Sequence, residues 1–114
     1  MSEDLRRLIA DKHAAAMRLA ESLSRDFDAL VAASATSNAD DEHDPEGATI
    51  AFERAQLDAT LAQTRRQIVQ LAEALERLDA GTYGICGVCG EPIPSARLEV
   101  RPAATTCVRH VAAP

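Results

Sequence analysis

Apolar residues recur in the first third of the chain at Leu5, Leu8, Ile9, Ala16, Leu19, Leu23, Phe27 and Leu30. The later steps are three and four residues, the spacing that lines one face of an α-helix. Arg6, Arg7, Arg18, Glu21 and Arg25 fall mostly off that stripe, and no Pro or Gly interrupts the stretch. Lys12 breaks into the stripe, but its aliphatic stem lets the charge snorkel to water. The pattern predicts a helix from about Glu3 to Ala35. A polar run follows over residues 36–44, rich in Ser, Asn and Asp, and it reads as a turn. Asp44-Pro45 then resembles a helix start, with Asp44 as cap and Pro45 at the first helical position.

The second stripe is Ile50, Leu57, Leu61, Ile68, Leu71, Leu75 and Leu78. Its steps of seven, four and three make a heptad-like seam. Gly81 is a natural terminator, so this helix is expected to reach about Ala80. Two long helices joined by a short turn must run antiparallel. Each stripe is then explained as core, one helix burying the other. The expected fold is all-α: a long antiparallel two-helix coiled-coil hairpin over residues 1–80, with a tip loop near 36–48, and a small module over 81–114.

That last module carries the chemistry. Cys86 and Cys89 form a CxxC pair, and Cys107 and His110 form a CxxH pair, with 17 residues between the two pairs. This is close to the spacing of a two-knuckle zinc site. Two residues between ligands let a tight turn aim both donors at one point, and Gly87 and Gly90 stand where such a turn wants glycine. Three thiolates and one imidazole suit a closed, tetrahedral, structural zinc ion. The competing reading is a redox CxxC beside an unrelated Cys and His. One zinc ion on Cys86, Cys89, Cys107 and His110 is the expectation. A module of this size builds little apolar core, so metal must supply folding energy.

Composition narrows the remaining choices. Aromatics are 3% of the chain, with no Trp, which suits long helices better than a broad globular core. No apolar run is long enough to span a membrane. The start, Met1-Ser2-Glu3-Asp4, lacks the features of a secretory signal, and unpaired cysteines in metal spacing fit a reducing compartment. A cytoplasmic protein is expected. The formal net charge of −6 is concentrated in one place. Asp40, Asp41, Glu42, Asp44 and Glu46 put five carboxylates into seven residues at the expected tip. Such runs are often only solubilising loops, but these favour cations, Mg²⁺ among them. The module itself holds three arginines against two acids. A duplex-reading finger carries a clear basic face, so no specific DNA contact is expected.

Several of these residues together resemble the DksA/TraR family of bacterial transcription regulators. They are Asp44-Pro45-Glu46-Gly47-Ala48, the run from Gly81 to Gly90, Ile93, Arg97-Leu98-Glu99, Arg101-Pro102 and Cys107. The resemblance covers about residues 40–110. It implies a protein that binds RNA polymerase directly. It further implies a coiled coil entering the secondary channel and acidic tip residues placed near the catalytic Mg²⁺ region. Three departures stand out. His110 replaces the family's fourth cysteine. Gly47 stands where the family's second tip aspartate falls. Larger members extend into a terminal helix, whereas this sequence stops at Pro114. Gln63, Gln67 and Gln70 occupy the stretch where ppGpp-sensing members carry basic residues, so ppGpp binding is not expected.

The functional expectation is a non-enzymatic zinc-containing regulator of RNA polymerase. The alternative is a zinc-stapled helical hairpin that serves as an interaction module for some other protein. An enzyme is not expected. His13 and His43 are isolated from any nucleophile, and a four-ligand zinc leaves no open position for water.

Overall fold

Helix α1 spans Ser2–Thr36 and helix α2 spans Pro45–Ala80. A short helix α3 covers Ser95–Val100, and a 3₁₀ turn covers Val108–His110. The computed structural model describes residues 2–36 and 45–111. Both long helices match their expected bounds to within a residue or so. The capping role expected of Asp44 lies outside the described residues, as do Asp40, Asp41 and Glu42. Glu46 falls within α2, but its side chain is also outside them. The fold is all-α, with the two long helices packed against each other and no named strand among the described residues.

The chain packs as two units, Ala15–Gln67 and Met1–Ala14 with Ile68–Pro114. In the first, Ala16 and Leu61 are buried, and Leu23, Phe27, Leu30 and Leu57 are half-buried. Thr64 is buried as well, at 4% exposure. It fills the gap between Leu61 and Ile68 that the apolar stripe left open. Its hydroxyl donates to the Thr60 carbonyl at 2.8 Å, one turn back on its own helix. A buried hydroxyl without a partner would be costly, and this intrahelical bond removes that cost. The Arg54 guanidinium lies 5.8 Å from the Phe27 ring centre, a contact from α2 to α1. At an exposed site such a contact contributes about 0.5–1 kcal/mol.

In the second unit, Ile9 and Ala74 have no exposure and Leu71 has almost none. Burying a side chain such as Ile9 stabilises by about 1.5–3 kcal/mol. Arg6 and Asp79 form an ion pair between the start of α1 and the last turn of α2. Both groups are well exposed, so the pair adds at most about 1 kcal/mol.

The end of α2 is closed by its own backbone. The Thr82 N–H donates to the Arg77 carbonyl at 2.9 Å and the Gly81 N–H to the Leu78 carbonyl at 3.3 Å. This is a Schellman pattern, which needs a left-handed residue just past the helix, and Gly81 supplies it with φ of 78°. The turn delivers the chain directly into Tyr83 and the first cysteine pair. Among the described residues, no helix is long and apolar enough to cross a membrane.

Candidate metal centre

The first knuckle is built from residues 84–93. The Cys86 N–H donates to the Glu91 carbonyl at 2.8 Å, and the Gly90 N–H returns to the Cys86 carbonyl at 2.9 Å. The Ile93 N–H donates to the Gly84 carbonyl at 2.7 Å. These three bonds close the loop locally, each between residues of the loop itself. Gly90 takes φ of 73°, as the expected turn requires. Gly87 does not take a positive φ. Its backbone approaches the second knuckle instead, and its N–H donates to the Thr105 carbonyl at 2.9 Å. The Val88 N–H points at Cys86 Sγ, 3.4 Å away. An N–H donor to a thiolate stabilises its charge.

The second knuckle follows α3. Cys107 precedes the 3₁₀ turn, and the His110 N–H donates to the Cys107 carbonyl at 3.0 Å. That turn brings the His110 ring back over the cysteines. Cys86, Ile93 and Cys107 form a buried cluster, with Cys89 and Leu98 packed against it. Three of the four candidate ligands, Cys86, Cys89 and Cys107, are therefore also part of the module's core.

Cys86, Cys89, Cys107 and His110 place their donor atoms within 4.8 Å of one another. Cys89 Sγ and Cys107 Sγ are 3.9 Å apart. His110 Nδ1 lies 3.2 Å from Cys107 Sγ and 3.8 Å from Cys86 Sγ. Tetrahedral zinc, with Zn–S about 2.3 Å and Zn–N about 2.0–2.1 Å, requires about 3.8 Å between sulfurs and about 3.6 Å between sulfur and nitrogen. The spacings match that requirement, so the set fits one zinc ion of the closed, structural kind. No second group of three or more potential ligands occurs among the described residues.

The electrostatics suit a cation. Backbone N–H donation, from Cys89 first, holds the Cys86 thiol down at about 6. Burial pushes the Cys107 thiol up, but the His110 ring and the Arg109 N–H outweigh it and leave the thiol below its usual value. The Glu91 N–H lowers Cys89, yet burial and the neighbouring thiols prevail and hold it above its usual value. The Cys107 sulfur raises the His110 imidazole. Anionic sulfurs crowded together without a metal oppose one another, and a divalent ion removes that conflict.

Residues the spacing argument passed over hold the second knuckle in place. The Tyr83 hydroxyl donates to the Pro102 carbonyl at 2.6 Å, and Arg97 Nε donates to the Thr106 carbonyl at 2.8 Å. Arg77 reaches the Ala103 carbonyl at 3.5 Å. Nothing in ligand spacing signals these contacts, because each ends on a backbone oxygen.

Comparison with known proteins agrees with the site. The prokaryotic dksA/traR C4-type zinc finger matches residues 81–109, stopping one residue short of His110. The RNA polymerase-binding transcription factor DksA of Caulobacter vibrioides is 47% identical over 49 residues, which is 43% of this chain and 34% of that protein. The uncharacterized protein YteA of Bacillus subtilis is 37% identical over 70 residues, 61% of this chain and 29% of that protein. The matched region thus spans about a third of these relatives' own length. The solved structure of transcription factor DksA2 from Pseudomonas aeruginosa superposes with a TM-score of 0.77 at 26% identity, covering 95% of this chain and 78% of that one. Residues 81–109 thus match the DksA/TraR type of zinc finger, with His110 in place of a fourth cysteine, and the fold resembles that of DksA2.

Proposed function

We propose that the protein is a non-enzymatic transcription regulator that binds RNA polymerase directly in the cytoplasm. Residues 1–80 act as the hairpin and residues 81–114 as the finger that holds its open ends. The hairpin carries Asp40, Asp41, Glu42, Asp44 and Glu46 into the secondary channel, where they modulate initiation. The observation that carries this reading is the 47% identity over 49 residues to an RNA polymerase-binding DksA. The likeness to DksA2 over 95% of the chain supports extending it beyond the finger. The zinc site has a structural role, because four protein donors leave no position for a reacting water. Specific DNA contact and ppGpp binding are not part of this function.

The test is a binding assay of the purified protein against its host's core RNA polymerase, with promoter-complex lifetime measured in parallel. A second protein carries Asn or Gln at all five acidic positions. Binding by both, with the effect on lifetime confined to the wild type, is the expected result. Failure of the wild type to bind would overturn the reading.

A further inference from the structure

The segment 102–106 lies immediately before Cys107, and four of its five carbonyls accept hydrogen bonds from four separate parts of one unit. Pro102 accepts from the Tyr83 hydroxyl and Ala103 from Arg77 in the last turn of α2. Thr105 accepts from the Gly87 N–H in the first knuckle, and Thr106 from Arg97 Nε on α3. The first knuckle closes through local bonds within residues 84–93. Among the described residues, the second has one backbone–backbone bond of its own, from the His110 N–H to the Cys107 carbonyl. Its placement must come from the segment that leads into it.

We infer that Tyr83 and Arg97 are positioning residues of the zinc site, with Arg77 in support. They act on the metal through the backbone, by fixing where the 102–106 strap delivers Cys107 and, one turn later, His110. Two of the four donor atoms are thereby aimed by side chains that never approach the ion. Arg77 belongs to α2 and Tyr83 follows the cap of that helix, so the last turn of α2 is physically joined to the second knuckle. Metal occupancy and order in that turn are coupled through the strap. Groups that orient metal ligands commonly change metal affinity by about 10–100-fold when removed, and an effect of that order is expected here.

The test uses the full chain, with Co²⁺ and Zn²⁺ as probes, in Tyr83→Phe, Arg97→Gln and a control, Arg6→Gln. Arg6 pairs with Asp79 and touches no part of the strap. Three quantities are read: metal affinity by chelator competition, the visible spectrum of the Co²⁺ form, and amide hydrogen exchange. Tyr83→Phe and Arg97→Gln are expected to weaken metal binding by about 10–100-fold and to shift the Co²⁺ bands. They should also speed exchange over residues 104–110 and at Gly87, whose N–H donates to the strap, while leaving the Cys86 and Gly90 amides protected. Arg6→Gln should leave affinity and spectrum unchanged. If Arg97→Gln does not fold, the milder Tyr83→Phe decides alone. Unchanged affinity and spectrum in Tyr83→Phe would overturn the inference. So would equal loss of protection in both knuckles, since that is general destabilisation.

Discussion

His110 Nδ1 stands 3.2 Å from Cys107 Sγ, its neighbour three residues back, and 3.8 Å from Cys86 Sγ across the site. The histidine is thus near enough to serve as a fourth donor, although the matching finger model is of the C4 type. His110→Ala is expected to weaken zinc binding by more than the roughly 10–100-fold typical of losing an outer-shell contact. His110→Cys should retain the metal. Zinc needs a neutral imidazole, and the Cys107 sulfur raises the affinity of His110 for protons. Protons therefore begin to compete with zinc above the ordinary histidine range, and apparent affinity falls as pH falls. His110→Cys should show a different pH profile in the same chelator titration.

Cys86 is both a ligand candidate and one of the two largest fully buried side chains of the described residues. Cys86→Ser should abolish stoichiometric zinc and lower thermal stability, read by metal analysis and calorimetry. Helices α1 and α2 contribute 35 and 36 residues. Most of the circular dichroism signal should therefore survive while the finger unfolds. Full metal content in this variant would contradict the ligand assignment.

Tyr83 makes the protein sensitive to alkali. Burial raises its phenol above 10, against the opposing charge of Arg77. A group whose folded value is raised contributes stability that is fully present below the unfolded value, near 10, and lost as pH rises through the folded one. Deprotonation also removes the donor to the Pro102 carbonyl. Tyr83→Phe should cost about 0.5–1.5 kcal/mol at neutral pH and flatten the alkaline fall in stability, measured by denaturant titration at several pH values.

Ala74 has no exposed surface. A larger residue there must push its neighbours apart, and overpacking of this kind costs about 1–3 kcal/mol. Ala74→Leu is expected to lower the denaturation midpoint, whereas Leu at exposed Ala59 should leave it nearly unchanged. Equal effects at both positions would refute the packing assigned to α2.

Much of this was legible in the sequence because helices and zinc knuckles are local patterns. The cap at Gly81 and the Cys and His spacing need only neighbouring residues to be understood. The seam was read less sharply. Leu8 and Leu19 were placed on the stripe of α1, yet they are 43% and 48% exposed, while His13 and Ala20 are half-buried. Hydrophobicity marks which residues favour burial, but a helix turns about 100° per residue. Leu8 and Ile9 therefore cannot both face one partner. Thr64 and Ala74 were missed for the opposite reason. One is polar and the other small, and only the partner helix shows that their positions are inside. The strap was invisible because its acceptors are backbone carbonyls, which every residue has.

The difference between the two knuckles has a consequence for how metal enters and leaves. Residues 84–93 close around Cys86 and Cys89 through their own backbone hydrogen bonds, as a local clip. Cys107 caps the 3₁₀ turn that ends on His110, so these two donors sit on one short piece of chain. Exchange of the ion with a chelator should therefore be stepwise rather than concerted. Cys107 and His110 would then release a bound ion together, and Cys86 and Cys89 would be the residues left to hold it. The speed of exchange would then be set by how often the piece carrying Cys107 and His110 opens.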